Sequence, residues 1–577
     1  MNFKKEVSIV LGGAAGQGIQ TIEEILTRVL KLSGYNVFAT KEYMSRVRGG
    51  INTTEIIVSS EKVRAFVDRI DILIPFKKGV LDHLKERISD TTVVLGEKDN
   101  IDEDYLDNIN LIEISLSNIS QKLGNPIYIN TIGSGMVVGL FDGDLEVFKK
   151  YLTEKFSSKG EEIVKKNIEA AVEGYNLGKS LSEQLSIEIE KTEDVKEEIL
   201  LSGTEAVALG SAIGGCNFVS FYPMTPSTGV ATFLAQKSED LEILVEQVED
   251  EIAAINMAIG SWYAGGRGMV TTSGGGFSLM CEGLSLAGMT ESPVVVYLAQ
   301  RPGPATGLPT RTAQGDLELA LYSGHGEFPR IIYAPGKIED AFYVSQLAFN
   351  MADKYQIPVF ILSNEYFADT YYNIPDSELK RTKMEKHIVE TEKNYKRYKL
   401  TENGISPRGI PKYGNGVVSI TGNEHNELGD ITEDKELSAL MQEKRNKKLE
   451  LMKKEALKPE LIKYGNTTDP EENENYDYLV VGWGPTYYAI EGALKKLDRD
   501  DLAFLYFNQV YPISEDSIDY LKKAKKIICI EENYNAQFAR LLRREFGIEA
   551  DDKILKYNGR PFSVEELVEK LKEVLEG

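Results

Sequence analysis

Short apolar runs alternate with helical patterns along most of the chain, and this rhythm leaves few folds open. Val7-Ser-Ile-Val-Leu11 is a strand-type run closed by Gly12-Gly-Ala-Ala-Gly-Gln-Gly18, after which Ile19, Ile25, Val29 and Leu30 fall on one helical face. Strand, tight turn and helix begin a βα unit. Further runs at Ile56–Val58, Ile72–Ile74, Thr92–Val94 and Leu111–Ile114, then helical stretches around residues 161–184, complete a first region. The charged segment Glu188–Glu198 has no core pattern and reads as a linker. A second α/β region has strands at Phe218–Phe221, Met269–Thr271, Val294–Leu298, Arg330–Tyr333 and Val359–Leu362, and a third has them at Tyr478–Val481, Ala503–Tyr506 and Ile527–Ile530. The stretch between these two is rich in Lys, Glu and Asn, with a helical run from Glu436 to Leu457 and few core positions. A single core stops growing at about 250–300 residues. The prediction is therefore a multi-domain α/β protein: a domain over 1–187, a linker over 188–200, a domain over 201–375, a charged excursion over 376–474 and a last domain over 475–577.

Charge and cysteine usage narrow the function classes. A net charge of −24 disfavours nucleic acid and anionic membrane surfaces as partners, since both are negative. A local arginine still outweighs a distant acidic field at contact range. Three scattered cysteines (Cys216, Cys281, Cys529) imply no disulfide framework and cannot supply a four-cysteine cluster site. The four histidines show no metal spacing. No apolar run reaches the roughly 18–20 residues of a membrane span, and the start of the chain reads as a first strand, so a cytoplasmic location is expected.

Two loops carry the chemistry. In Phe221-Tyr-Pro-Met-Thr-Pro-Ser-Thr228 the prolines fix φ at Pro223 and Pro226 and restrain the residues before them, which holds Thr225 in an extended loop after a strand. Open α/β sheets bind ligands at such strand ends. In Gln300-Arg-Pro-Gly-Pro-Ala-Thr-Gly-Leu-Pro-Thr310, Arg301 follows the expected strand Val294–Leu298 and sits among prolines. A planar guanidinium grips a carboxylate with two hydrogen bonds. Hydroxyls, one arginine and rigid prolines suggest a pocket for a small carboxylate; a ligand-free turn and a surface ion pair are the bland alternatives. The first glycine turn, with Gly13, Gly16 and Gly18, has the spacing GxxGxG where the dinucleotide fingerprint is GxGxxG. It favours an anion at a helix start, or binds nothing.

Together with Glu249-Asp-Glu-Ile-Ala-Ala254 and Thr272-Ser-Gly-Gly-Gly-Phe277, these loops resemble the α subunit of the 2-oxoacid:ferredoxin oxidoreductases. The glycine turn, Arg46-Val-Arg-Gly-Gly50 and Asn130-Thr-Ile-Gly133 resemble the γ component, fused here ahead of α, with coenzyme A contact as the implied role. Val481–Gly484, Tyr511-Pro512, Glu531-Glu-Asn533, Gln537 and Tyr557–Phe562 resemble a transketolase C-terminal-like domain, and Ser406–Arg408 and Thr421–Gly429 extend the likeness through the excursion. The resemblance implies that the middle region is a pyrimidine-type thiamine diphosphate domain. The resemblance implies that Thr225, Arg301 and Thr310 bind a 2-oxoacid. It implies that Glu251 drives the aminopyrimidine to its imino tautomer, which needs a buried carboxyl; Glu249 and Glu246 compete for that role. Gly274 and Gly276 let backbone approach the cofactor, although Gly275 stands where the family has proline. Arg311 and Gln314-Gly-Asp316 continue the pattern without an assigned role.

The family's thiamine diphosphate/Mg²⁺ signature, Gly-Asp-Gly followed by a distant Asn, is absent here, and so are cluster cysteines. The resemblance therefore implies a heterodimer in which a β subunit brings the diphosphate site, Mg²⁺ and a [4Fe–4S] cluster, with (αβ)₂ assembly. The implied reaction is coenzyme A-dependent oxidative decarboxylation of a 2-oxoacid, foremost 2-oxoglutarate, with electrons passing to ferredoxin. Pyruvate, branched-chain or aryl-pyruvate substrates are the alternatives, and a non-catalytic scaffold subunit is the remaining reading.

Overall fold

A computed structural model describes residues 3–15, 18–45, 49–464 and 476–576. The chain is α/β throughout and divides into two compact units, Met1–Ser202 with Asp369–Glu378, and Gly203–Ala368 with Leu379–Gly577.

The first unit is built on an eight-stranded sheet, in the order Asn110–Glu113, Val93–Gly96, Ile72–Pro75, Glu6–Ala14, Ile51–Ser59, Asn36–Glu42, Tyr371–Ile374, Ile199–Ser202. The first strand runs on through Gly12 and Gly13, which pair with Thr53 and Asn52, so Gly13 belongs to the strand rather than to a turn. Two further boundaries move. Residues 188–200 are not a bare linker: Val195 is buried in a short 3₁₀ turn and a strand starts at Ile199. The segment Tyr371–Ile374 leaves the second region to pair antiparallel with both Asn36–Glu42 and Ile199–Ser202. Backbone hydrogen bonding at two open strand edges outweighs chain continuity here.

Helices Ile129–Leu140 and Glu161–Leu185 pack backbone to backbone. A Cβ at Gly135 would stand 2.5 Å from the Ala171 carbonyl oxygen, and one at Gly178 would collide with the Met136 carbonyl oxygen. Gly178→Ala therefore forces the helices apart, and we expect a loss of about 1–3 kcal/mol, read as a lowered midpoint in denaturant titration.

The second unit holds two sheets. The larger has the order Gln509–Tyr511, Ile331–Tyr333, Pro358–Asn364, Val294–Gln300, Gly268–Thr272, Phe218–Phe221, Leu244–Gln247, with every pair parallel except the first. The smaller has the order Glu460–Lys463, Leu502–Phe507, Tyr478–Trp483, Lys526–Glu531, Asp552–Leu555. Both contribute to one core, in which Val270, Val296 and Leu298 share a cluster with Leu479, Trp483 and Leu505. The smaller sheet begins at Glu460, ahead of residue 475, because that strand pairs antiparallel with Leu502–Phe507.

The excursion has more buried positions than its composition suggests, and many of them are ionic. From helix Lys435–Lys454, Lys444 and Lys448 reach the buried Glu291 carboxylate at 2.6 and 2.5 Å. Arg397 donates to the Glu291 carbonyl at 2.7 Å, and Arg408 and Arg267 flank Asp353 at 2.5 and 3.1 Å. Charged residues are almost never fully buried unless paired, and these pairs hold a largely irregular stretch against the second region.

Candidate active site

In the larger sheet the parallel strands all point their C-terminal ends the same way, and the loops leaving those ends carry the predicted residues. Thr225 follows Phe218–Phe221, Glu251 follows Leu244–Gln247, Gly274 and Gly276 follow Gly268–Thr272, and Arg301 and Thr310 follow Val294–Gln300. This edge is where doubly wound sheets bind ligands.

Glu251 opens the helix Glu251–Tyr263, and Asp250 caps it by accepting from the Ala253 N–H at 2.8 Å. The cap turns the chain so that Glu251 points inward, at 4 % exposure, whereas Glu246 and Glu249 are exposed. Burial thus separates three glutamates that the sequence leaves in competition. Glu251 Oε1 has no hydrogen-bond partner among the described residues. Beside it lies Gly276, where a Cβ would stand 2.5 Å from that oxygen. Thr271 and Ser273, both fully buried, also leave their hydroxyl oxygens unpartnered. Buried polar atoms without partners are rare in native folds; an unpartnered carboxyl oxygen at a sheet's C-terminal edge marks a place prepared for a polar ligand.

Arg301 donates through Nη1 to the Thr225 carbonyl at 2.7 Å, which joins the two predicted substrate loops, and its buried Nε has no partner. Burial pulls the guanidinium below its ordinary range, while Asp316 pushes it back up. Thr310 is buried on the same loop. Gly18 lies at the start of helix Ile19–Leu32 in the left-handed region, φ 76°, with the Asn130 amide directly against it, so the structure brings together two motifs of the first region. Gly16 and the Arg46–Arg48 part of the arginine motif lie outside the described residues.

Sequence reasoning left the Gln314-Gly-Asp316 and Glu531-Glu-Asn533 motifs without a task, and the structure supplies one. The Gln314 side chain donates to the Trp483 carbonyl at 2.8 Å and accepts from the Glu532 N–H at 2.9 Å, while its own N–H donates to the Glu532 carbonyl at 2.7 Å. The Gln537 amide donates to the Gly315 carbonyl at 2.8 Å, and Thr312 N–H donates to the Gly559 carbonyl at 3.1 Å. The smaller sheet thus clamps the loop that carries Thr310. Glu532 accepts from Asn364 at 3.0 Å, and burial pushes its carboxyl up to about 7. Polar residues repeated near strand ends were the available signal, but their partners lie far away in sequence.

Residues 8–177 match the family described as pyruvate ferredoxin/flavodoxin oxidoreductase, and residues 210–444 match that described as pyruvate flavodoxin/ferredoxin oxidoreductase, thiamine diphosphate-binding. A 2-oxoacid:ferredoxin oxidoreductase subunit alpha from a Sulfolobus species is 34% identical over 99% of this chain and 97% of its own length. The 2-oxoglutarate synthase subunit KorA of Methanocaldococcus jannaschii is 32% identical over 58% of this chain and 88% of its own. Among solved structures, a 2-oxoglutarate:ferredoxin oxidoreductase from Magnetococcus marinus, with 2-oxoglutarate, coenzyme A and succinyl-CoA bound, matches at a TM-score of 0.90 and 30% identity over 99% of both chains. Among the described residues no helix is long and apolar enough to cross a membrane. Identity at this level along the whole chain, on a fold whose strand ends bring Glu251, Arg301 and Thr225 to one edge, places the chain in the 2-oxoacid:ferredoxin oxidoreductase family, as an α subunit that works with a partner subunit.

Proposed function

We propose that this chain is the γα-fused subunit of a cytoplasmic, coenzyme A-dependent 2-oxoglutarate:ferredoxin oxidoreductase. The observation that carries this reading is Glu251: a buried carboxyl with one unpartnered oxygen, pressed against a glycine, at the C-terminal edge of a parallel sheet. Those features fit the aminopyrimidine edge of thiamine diphosphate, a planar group that needs close backbone approach and one carboxyl partner. When bound, thiamine diphosphate supplies the nucleophilic carbon and the electron sink that loss of CO₂ requires. Glu251 Oε1 holds and returns a proton at the pyrimidine ring, and low solvent access keeps that proton from leaking to water. Gly274 and Gly276 leave room for the ring. Arg301, anchored through Nη1, keeps its other N–H groups for the 2-oxoacid carboxylate, and the Thr225 and Thr310 loops wall the same pocket.

The partner in this proposal is a β subunit that carries the diphosphate site, Mg²⁺ and a [4Fe–4S] cluster, assembled as (αβ)₂ and passing electrons to ferredoxin. The 1–187 region acts as a γ-type domain, with Gly13, Gly16 and Gly18 as its proposed coenzyme A-binding residues, and the 475–577 region as the transketolase C-like domain. The choice of 2-oxoglutarate is supported by what the Magnetococcus marinus protein has bound. With the partner subunit coexpressed, viologen reduction should require coenzyme A, and kcat/KM should favour 2-oxoglutarate over pyruvate by about tenfold or more, within the range that one added polar contact provides. Equal or faster turnover of pyruvate moves the substrate assignment.

A further inference from the structure

The glycine turn Gly274–Phe277 has a carboxyl packed against it on each side. Glu251 packs against Gly276. Asp316 packs against Gly274, where a Cβ would stand 2.5 Å from Oδ2 and 2.6 Å from Oδ1. Asp316 Oδ2 is shut off from solvent without a hydrogen-bond partner, and so is Arg301 Nε. One side chain holds both residues in place. Gln300 accepts from the Asp316 N–H at 2.9 Å, donates to the Ser363 carbonyl at 3.0 Å and directly precedes Arg301. The two charges act on each other, yet among the described residues they do not close into an ion pair. Arg301 keeps an unpartnered Nε and Asp316 an unpartnered Oδ2, on side chains close enough to act on each other, so both can be turned to one group that accepts hydrogen bonds.

Resting on the reading of Arg301 as the substrate clamp, we propose that Asp316 is the second jaw of that clamp. As a neutral acid it donates a hydrogen bond to the 2-oxoacid carboxylate while Arg301 donates to the same group, so binding of the anion draws one proton from solvent onto Asp316. Burial supports this by pushing the Asp316 carboxyl up to about 6, with Arg301 only partly opposing it. An anion placed beside a carboxyl favours its neutral form further. Among the described residues, Arg301 is the charged group that acts on the Asp316 carboxyl. Glu251 lies across the glycine turn, Glu318 on the helix Leu317–Tyr322 that Asp316 precedes faces Arg540 at 3.2 Å, and Glu532 turns to Asn364.

The test is KM for the 2-oxoacid between pH 6 and 8.5 in the coexpressed holoenzyme, for the native chain, Asp316→Asn and Asp316→Ala. In the native enzyme KM should climb toward tenfold per pH unit above about pH 6, as one proton must be taken up. An asparagine amide donates at any pH, so Asp316→Asn should keep a low KM that no longer depends on pH. Asp316→Ala should raise KM about tenfold at pH 6 and be flat. A purely packing role would leave the native pH slope in Asp316→Asn, and that result overturns the proposal; should the alanine variant fail to fold, the asparagine variant carries the test alone. Arg301→Lys separates the two layers. An unchanged KM there removes the clamp reading itself, whereas a raised KM with the slope persisting in Asp316→Asn removes only the role of Asp316.

Discussion

Glu251→Gln should leave a folded, assembled enzyme with kcat reduced by about 10²–10⁴, the usual worth of a positioned acid–base group. Glutamine keeps the size and the hydrogen-bonding capacity of the side chain, so the packing against Gly276 survives. What it cannot do is take up or release a proton at Oε1. Steady-state rates on the coexpressed complex, alongside a melting curve and the thiamine diphosphate content, separate loss of chemistry from loss of assembly. Activity near the native level would return the role to Glu249 or Glu246, although both lie exposed.

The largest stability effect is expected at Glu291, far from the chemistry. Its carboxylate sits between Lys444 and Lys448 with all three side chains out of solvent, and Arg397 lies alongside. Burial alone would push this carboxyl up, but Lys448, Lys444 and Arg397 outweigh it and hold it well below the usual carboxylate range. Burial pushes the Lys448 ammonium down to about 8, with Glu291 partly restoring it. Removing the single anion leaves two buried cations uncompensated, and breaking a buried pair in this way costs about 3–5 kcal/mol. Glu291→Gln should therefore lower the denaturation midpoint sharply at pH 7.

The sign of the pH response follows from linkage. A lysine whose folded-state value lies below its unfolded value of 10.5 binds fewer protons folded than unfolded between about pH 8 and 10.5, so stability rises with pH across that window. Without Glu291 the depression deepens. The variant should accordingly recover part of its deficit between pH 7 and 10, and a deficit independent of pH would argue for simple loss of packing.

These residues also show where the sequence is legible. Val294–Gln300 and Pro358–Asn364 are buried on both faces, so their near-continuous apolar runs read directly as parallel strands. Leu244–Gln247 escaped notice because it is a short edge strand, mostly exposed, with only two apolar side chains. Yet it is the strand that delivers Glu251. Its omission left three glutamates in contention, and only the Asp250 cap and the inward turn separate them. The excursion reads as poorly cored because several of its buried positions are lysines and arginines, which composition assigns to solvent. Their counter-charge, Glu291, lies 153 residues from Lys444. Asp316 carries the same lesson: in the sequence it continues a pattern without an assigned role, and its contact with the Gly274 backbone, 42 residues away, is visible only in the fold.

The strand Tyr371–Ile374 has a further consequence, for biosynthesis. It fills the slot between Asn36–Glu42 and Ile199–Ser202, so the amino-terminal sheet lacks an interior strand until the ribosome has passed residue 374. During that interval two unsatisfied edges stand open to mispairing. Cleaving the gene after Ser202 would yield a fragment with the same vacancy, which a complementing polypeptide would have to fill.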